Sequence, residues 1–126
     1  MKLNQDCIRD LLLYLEEHLD CDNELRVNDI SLKDYSTNEL ISTAQRLSEV
    51  GYLNCNLSNQ IDLDVPVVEV SSISYNGHQF LDTIKDNHVW TNTKKVLSSL
   101  KSISIDVISE TASKVITSMI DKNLNF

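Results

Sequence analysis

Glycine and proline are nearly missing from this 126-residue chain, which has Gly51 and Gly77 as its two glycines and Pro66 as its one proline. A phosphate-cradling loop or a dinucleotide-binding turn needs several glycines within a few residues, so both are excluded. Cysteine is sparse and odd in number. Cys7, Cys21 and Cys55 form no Cys-x-x-Cys pair that would point to zinc or a redox couple, and they read as free thiols of a reducing cytosol. No apolar run approaches the roughly 18 residues of a spanning helix, and nothing near Met1 has the basic and then apolar character of a signal peptide. A soluble, cytoplasmic protein with no membrane partner is expected. Positive charge is also short, with 11 Lys and Arg against 19 Asp and Glu for a net −8. Phosphate binding depends on Lys and Arg displacing counterions, so nucleic acid is disfavoured as a partner. The imbalance is steepest early: residues 1–60 hold five basic and eleven acidic side chains, residues 61–126 six and eight.

What is present is helical periodicity. Leu3, Cys7, Ile8, Leu11, Leu12, Leu15 and Leu19 trace one face of a first helix spanning Leu3 to Leu19. After a polar break at Asp20 to Glu24, Leu25, Val27 and Ile30 suggest a short strand. Ser36 to Leu53 carries the clearest pattern. Ser36 and Glu39 are spaced as a reciprocal capping box, Leu40, Ala44, Leu47 and Val50 recur on one buried stripe, and Gly51 stands where a left-handed C-cap belongs. Tyr52 to Leu57 and Val65 to Ile73 read as a hairpin whose loop holds Ser58, Asn59 and Gln60, flanked by Asp62 and Asp64, with Pro66 at an edge or bulge. Further helices are expected around Phe80, Leu81 and Ile84; over His88 to Leu100, with Val89, Trp90, Val96, Leu97 and Leu100 on one face; and from Ile105 to about Ile120.

The capped helix ending in Leu-Ser-Glu-Val-Gly-Tyr-Leu resembles the recognition-helix end of a winged helix-turn-helix domain. The resemblance implies an α+β fold, mostly helical: a winged-helix-like domain over 1–87 with a short β-hairpin wing, extended by two C-terminal helices over 88–126. It also lacks a part. A winged helix places another helix between its first strand and the recognition helix, where only Ser31 to Tyr35 are free, and that helix normally fixes how the reader enters the major groove. The phrases Lys2-Leu3-Asn4-Gln5-Asp6-Cys7-Ile8-Arg9-Asp10, Leu47 to Leu53, Tyr75-Asn76-Gly77-His78-Gln79-Phe80-Leu81-Asp82, Val89-Trp90 and Ile105-Asp106-Val107, in that order, resemble an uncharacterised family of small proteins carried by phages and prophages. The resemblance covers nearly the whole chain. It implies an accessory protein acting in a bacterial host and supplies no catalytic residues.

Several residues are candidate sites. Asp20-Cys21-Asp22-Asn23-Glu24 begins like a calcium loop but has Leu25 where the turn needs glycine and Ser31 where a bidentate Glu should close the shell, so it reads as a solvated acidic turn. His18 and Cys21 would supply two of the roughly four ligands zinc requires, and His78, His88 and Cys55 add no helpful spacing. His18 is better explained as a partner of the helix C-terminal dipole. Cys7 falls on a buried stripe and Trp90 on an amphipathic face, both core positions. No cofactor, metal or catalytic constellation emerges, and the chain reads as a non-enzyme.

Two binding surfaces follow. An acidic one, formed by Glu16, Glu17, Asp20, Asp22 and Glu24, suits a host protein with a basic surface, so that the chain would regulate or inhibit a nucleic-acid-handling or defence factor in the manner of an anti-CRISPR or a DNA mimic. The alternative is a winged-helix transcriptional regulator reading DNA with Asn38, Ser42, Gln45 and Arg46, with Lys33 and Arg26 converging on phosphate and a homodimer through the C-terminal helix supplying two half-sites.

Overall fold

The computed structural model describes residues 3–58 and 66–124. Within them the fold is α+β and mostly helical, with five helices and one three-stranded antiparallel sheet. The chain divides into two compact units, Met1–His78 and Gln79–Phe126.

In the first unit, helix α1 (Gln5–His18) is shorter at both ends than its apolar pattern suggests. Asn4 caps it by accepting from the Cys7 N–H at 3.2 Å, and Leu19 turns to extended backbone. Cys7, Ile8, Leu11, Leu12 and Leu15 are fully buried on one stripe, while Leu3, ahead of the N-cap, and Leu19, the C-cap itself, stay half-exposed. The acidic turn satisfies itself: the Asp20 carboxylate accepts from the Asp22 N–H, and the Asn23 side chain accepts from the Asp20 N–H.

Strand β1 is only Leu25–Arg26. The expected strand through Val27 and Ile30 is replaced after Arg26 by a 3-10 turn, Val27–Asp29, which buries Val27 and Ile30 from a tighter backbone. Asn28 then does the strand's work with its side chain. Its amide donates to the Pro66 carbonyl and accepts from the Val68 N–H, both at 3.1 Å, continuing the ladder past the end of β1. The link to the next helix holds one more turn, closed by Tyr35 N–H on the Leu32 carbonyl.

Helix α2 (Thr37–Glu49) starts at Ser36, whose hydroxyl accepts from the Glu39 N–H at 3.1 Å. Among the described contacts only this half of the expected capping box is present. The Glu39 carboxylate accepts from Asn4 Nδ2 at 3.2 Å, and Tyr35 donates to Asp10 at 2.6 Å, so the first turn of α2 and the end of the link are tied to the cap and body of α1. Leu40, Ile41, Ala44 and Leu47 are buried, but Val50 is 42% exposed, because the helix has ended one residue earlier. Gly51, at φ +82°, ends it as expected: Gly51 N–H bonds the Ser48 carbonyl and Tyr52 N–H the Leu47 carbonyl, the paired bonds of a Schellman cap.

Strands β2 (Leu53–Ser58) and β3 (Val67–Ile73) pair antiparallel, with an irregularity at Asn54/Cys55, and the sheet order is β1-β3-β2. The expected loop at Asn59, Gln60, Asp62 and Asp64, with the strand start at Val65, lies outside the described residues. Helix α3 (Tyr75–Ile84) follows at once. Ser74 caps it by accepting from the Gly77 N–H and itself hangs from the Tyr52 carbonyl by its own N–H. A Cβ on Gly77 would overlap that same Tyr52 oxygen, so the turn from strand to helix needs glycine there.

In the second unit, α4 (Asn87–Leu97), capped by Asp86, packs on α5 (Ile105–Leu124). Val89, Trp90 and Leu97 are buried, whereas Val96 and Leu100, expected on the same face, are 55% and 48% exposed. Thr93 takes their place in the core because its hydroxyl returns to the Val89 carbonyl at 2.7 Å. The last helix runs four residues past the expected end, although its fully buried side chains stop at Ala112.

Candidate functional site

Three hollows surround the solvent side of α1, all within the first unit, and the acidic residues singled out from the sequence are distributed among them. The first, about 230 Å³, lies beside the C-terminal end of α1, with Glu16 and Asp20 over Leu15, Leu19 and Ile73. The second, about 310 Å³, has Glu17, Asp10 and Asp34 around Tyr14 and Tyr35. The third, about 570 Å³, has Glu24, Asp29 and Glu69 on the other side of Tyr14. Asp22 is exposed on the turn between α1 and β1.

The strand register explains one residue that sequence reasoning missed. Glu69 arrives opposite Arg26 and pairs with it at 3.2 Å, so a carboxylate from β3 joins those of the α1–β1 turn. Both side chains are substantially exposed, and such a pair contributes little to stability. Its effect is electrostatic, since it removes Arg26 as a free cation. Asp34 and the two tyrosine walls were also missed. Nothing in a linear charge count places residue 34 beside residues 10 and 17, whereas the Tyr35–Asp10 hydrogen bond does.

The alternative reading face is collinear. Asn38, Ser42, Gln45 and Arg46 fall at i, i+4, i+7 and i+8 on α2, with Asn38 exposed and the other three half-buried. Arg46 is not a free side chain. Lys33 lines the second hollow among carboxylates and Arg26 the third, so these two cations occupy separate acidic surroundings.

Cys7, Cys55 and His18 have surroundings that explain them structurally. Cys7 is completely buried and Cys55 half-buried, and burial pushes both thiols upward, opposite to what a thiolate nucleophile needs. The Thr43 hydroxyl, bonded to the Glu39 carbonyl, stands 3.3 Å from Cys7 Sγ. His18 stacks on Tyr14 at 4.0 Å, and its Nδ1 lies 2.8 Å from the Tyr14 carbonyl at the end of α1. Cys21 instead lines the first hollow with His78. Among the described residues no three His, Cys, Asp or Glu side chains are grouped to hold a metal ion, and no helix is long and apolar enough to cross a membrane.

Comparison with known proteins gives a family and no activity. A family model described as "Hypothetical protein (DUF2513)" matches residues 2–104. An uncharacterized protein of Haemophilus influenzae (strain ATCC 51907 / DSM 11121 / KW20 / Rd) is 26% identical over 125 residues, covering 95% of this chain and 99% of the relative. No solved structure matches. With the family model spanning most of its length, the chain belongs to the DUF2513 family.

Proposed function

We propose that the chain is a non-enzymatic accessory protein of a phage or prophage, acting in the cytoplasm of the bacterial host by binding a host protein through a basic surface on that protein. The target class is a nucleic-acid-handling or defence factor, whose phosphate-binding face the acidic side of α1 would occupy. The observation that carries this reading is the gathering of carboxylates around α1. Glu16 and Asp20 line one hollow, Glu17, Asp10 and Asp34 a second, and Glu24, Asp29 and Glu69 a third. Of the two cations there, Arg26 is paired with Glu69. A field of one sign steers an oppositely charged partner and repels a duplex.

The test is affinity capture from a bacterial host lysate, followed by a measured affinity for the captured protein. The variant E16K/E17K/D20K/D22K should lose at least about tenfold in affinity, since each rim charge contributes modestly and four are reversed. Unchanged affinity would remove the acidic face from the account.

A second reading is supported by topology. The order helix, strand, helix, strand, strand with sheet order β1-β3-β2 supports a winged-helix-like reading with α2 as the reader, and among the described residues the helix that normally precedes the reader is not present. As a transcriptional regulator the protein would present Asn38, Ser42, Gln45 and Arg46 to a major groove. Labelled duplex DNA at about 50 mM and about 200 mM salt separates the two, because phosphate contacts make binding strongly salt-dependent. The protein-binding reading expects no saturable binding at the lower salt; saturable, salt-sensitive binding that is lost in Arg46→Ala would favour the regulator.

A further inference from the structure

We infer that the second half of α5 is a self-association face, which pairs antiparallel with the same helix of a second copy. It stands whichever of the two readings above holds. In the second unit α5 has 20 residues and α4 only 11, so α4 can accompany about half of it. The buried stripe of Ile105, Ile108 and Ala112 runs on into Met119, which is half-exposed. About a quarter turn round the helix lies a second stripe, Ser113, Ile116, Thr117, Ile120 and Leu124. Ile120 is 51% and Leu124 67% exposed, and Ile116 is half-exposed. Recurrence at three and four residues is the pattern of a seam between two helices. Thr117 can be covered at little polar cost, because its hydroxyl already donates to the Ser113 carbonyl at 3.0 Å.

Charge identifies the occupant. Lys114 and Asp121 are both exposed, lie about two turns apart on one flank of this second stripe, and have no ion-pair partner among the described residues. In an antiparallel two-fold pair each flank meets its own copy. A crossing between Thr117 and Ser118 therefore sets Lys114 beside Asp121 of the second copy and Asp121 beside the second copy's Lys114, with Ile116 and Ile120 meeting between them. The opposite flank carries Ala112, Met119 and Asn123, so the same symmetry closes it without burying a charge. A parallel pair would instead lay the charged flank on the uncharged one and leave Lys114 and Asp121 without partners. The stripe is thus complementary to itself in one orientation, and that is what a closed two-fold contact requires.

Two helices meeting over three turns make a small interface, so the association is weak and is read from a concentration series. Sedimentation equilibrium of the full chain over about 5–500 µM should fit a reversible monomer–dimer equilibrium. Ile120→Asp, at a position too exposed to unfold the chain, should weaken the dimer at least about tenfold, since it sets two carboxylates in the seam. Lys114→Glu and Asp121→Lys each place like charges together at two symmetric points, and each should weaken it at least about threefold. The double variant K114E/D121K exchanges the two charges and should return to within about twofold of the unmodified chain, a reciprocal rescue that only the antiparallel register gives. Circular dichroism of each variant checks that its helices are intact. A chain monomeric at every concentration, association that grows past the dimer, a dimer indifferent to Ile120→Asp, or a double variant no tighter than either single one would overturn the inference.

Discussion

At the scale of single residues, the most consequential side chain is one that no periodicity marks. Asn28 substitutes for a strand by satisfying the Pro66 carbonyl and the Val68 N–H together, and Val68 is fully buried. Asn28→Ala leaves both backbone groups unpaired and should lower stability by about 1–3 kcal/mol in urea unfolding. Asn28→Asp keeps the acceptor for Val68 but sets a carboxylate oxygen against the Pro66 carbonyl, so it should not restore the stability that Asn28→Ala loses. Cys7 makes a prediction in pH. Its thiol is raised by burial above its ordinary value of 9.0, with the Thr43 contact opposing and Glu39 and Asp10 adding to the rise. Above that pH the unfolded thiol ionises while the folded one keeps its proton, so the folded state binds more protons and stability must fall as pH rises. Unfolding midpoints between about pH 8 and 10.5 should therefore decline, less steeply in Cys7→Ala, with the raised Cys55 thiol and Tyr35 supplying slope that remains. Tyr35, raised by burial and by its bond to Asp10, acts in the same direction at higher pH.

At the scale of elements, the two glycines are required for different physical reasons. Gly51 closes α2 in the left-handed region with nothing within 4 Å of a would-be Cβ, so Gly51→Ala should cost only the local backbone strain of about 1–2 kcal/mol. Gly77 has no unusual backbone, yet its Cβ position is already filled by the Tyr52 carbonyl and crowded by Ile73. Gly77→Ala must push α3 away from the strand end that anchors it, and should cost about 1–3 kcal/mol or more, read as a thermal shift larger than that of Gly51→Ala. The helix boundaries carry a related lesson. A legible cap at Ser36 or stop at Gly51 locates the end of α2 within a residue or so, whereas apolar periodicity alone, as at Leu19, Val50 and Leu100, runs past the element. A cap stops a helix by satisfying its free backbone groups, and an apolar residue just beyond has nothing to oblige it to stay helical.

At the scale of the molecule, charge is the dominant feature. The unit Met1–His78 carries five basic and fourteen acidic side chains, net −9, and Gln79–Phe126 six and five, net +1. Self-repulsion in the first unit opposes its compact state, and salt screens exposed charges separated by more than about 8–10 Å. The thermal midpoint should therefore rise by a few degrees between about 20 mM and 200 mM sodium chloride, and the rise should shrink in E16K/E17K/D20K/D22K. A midpoint that ignores salt would mean that the carboxylates are too dispersed to act as one field.

The α+β class, the existence and order of the five helices and the hairpin, the Gly51 stop and the acid-rich first half were all determined by the sequence itself, because helical and strand periods, caps and formal charge are local properties of the chain. Tertiary structure decided the rest. It shortened β1 to two residues and gave its continuation to Asn28, turned Glu39 toward Asn4, admitted Thr43 and Thr93 to buried positions, and set Glu69 beside Glu24 and Asp29, and Asp34 beside Asp10 and Glu17 of α1. Each depends on the partner a polar group finds across space, and a polar group changes from a cost to a contribution only when that partner is present.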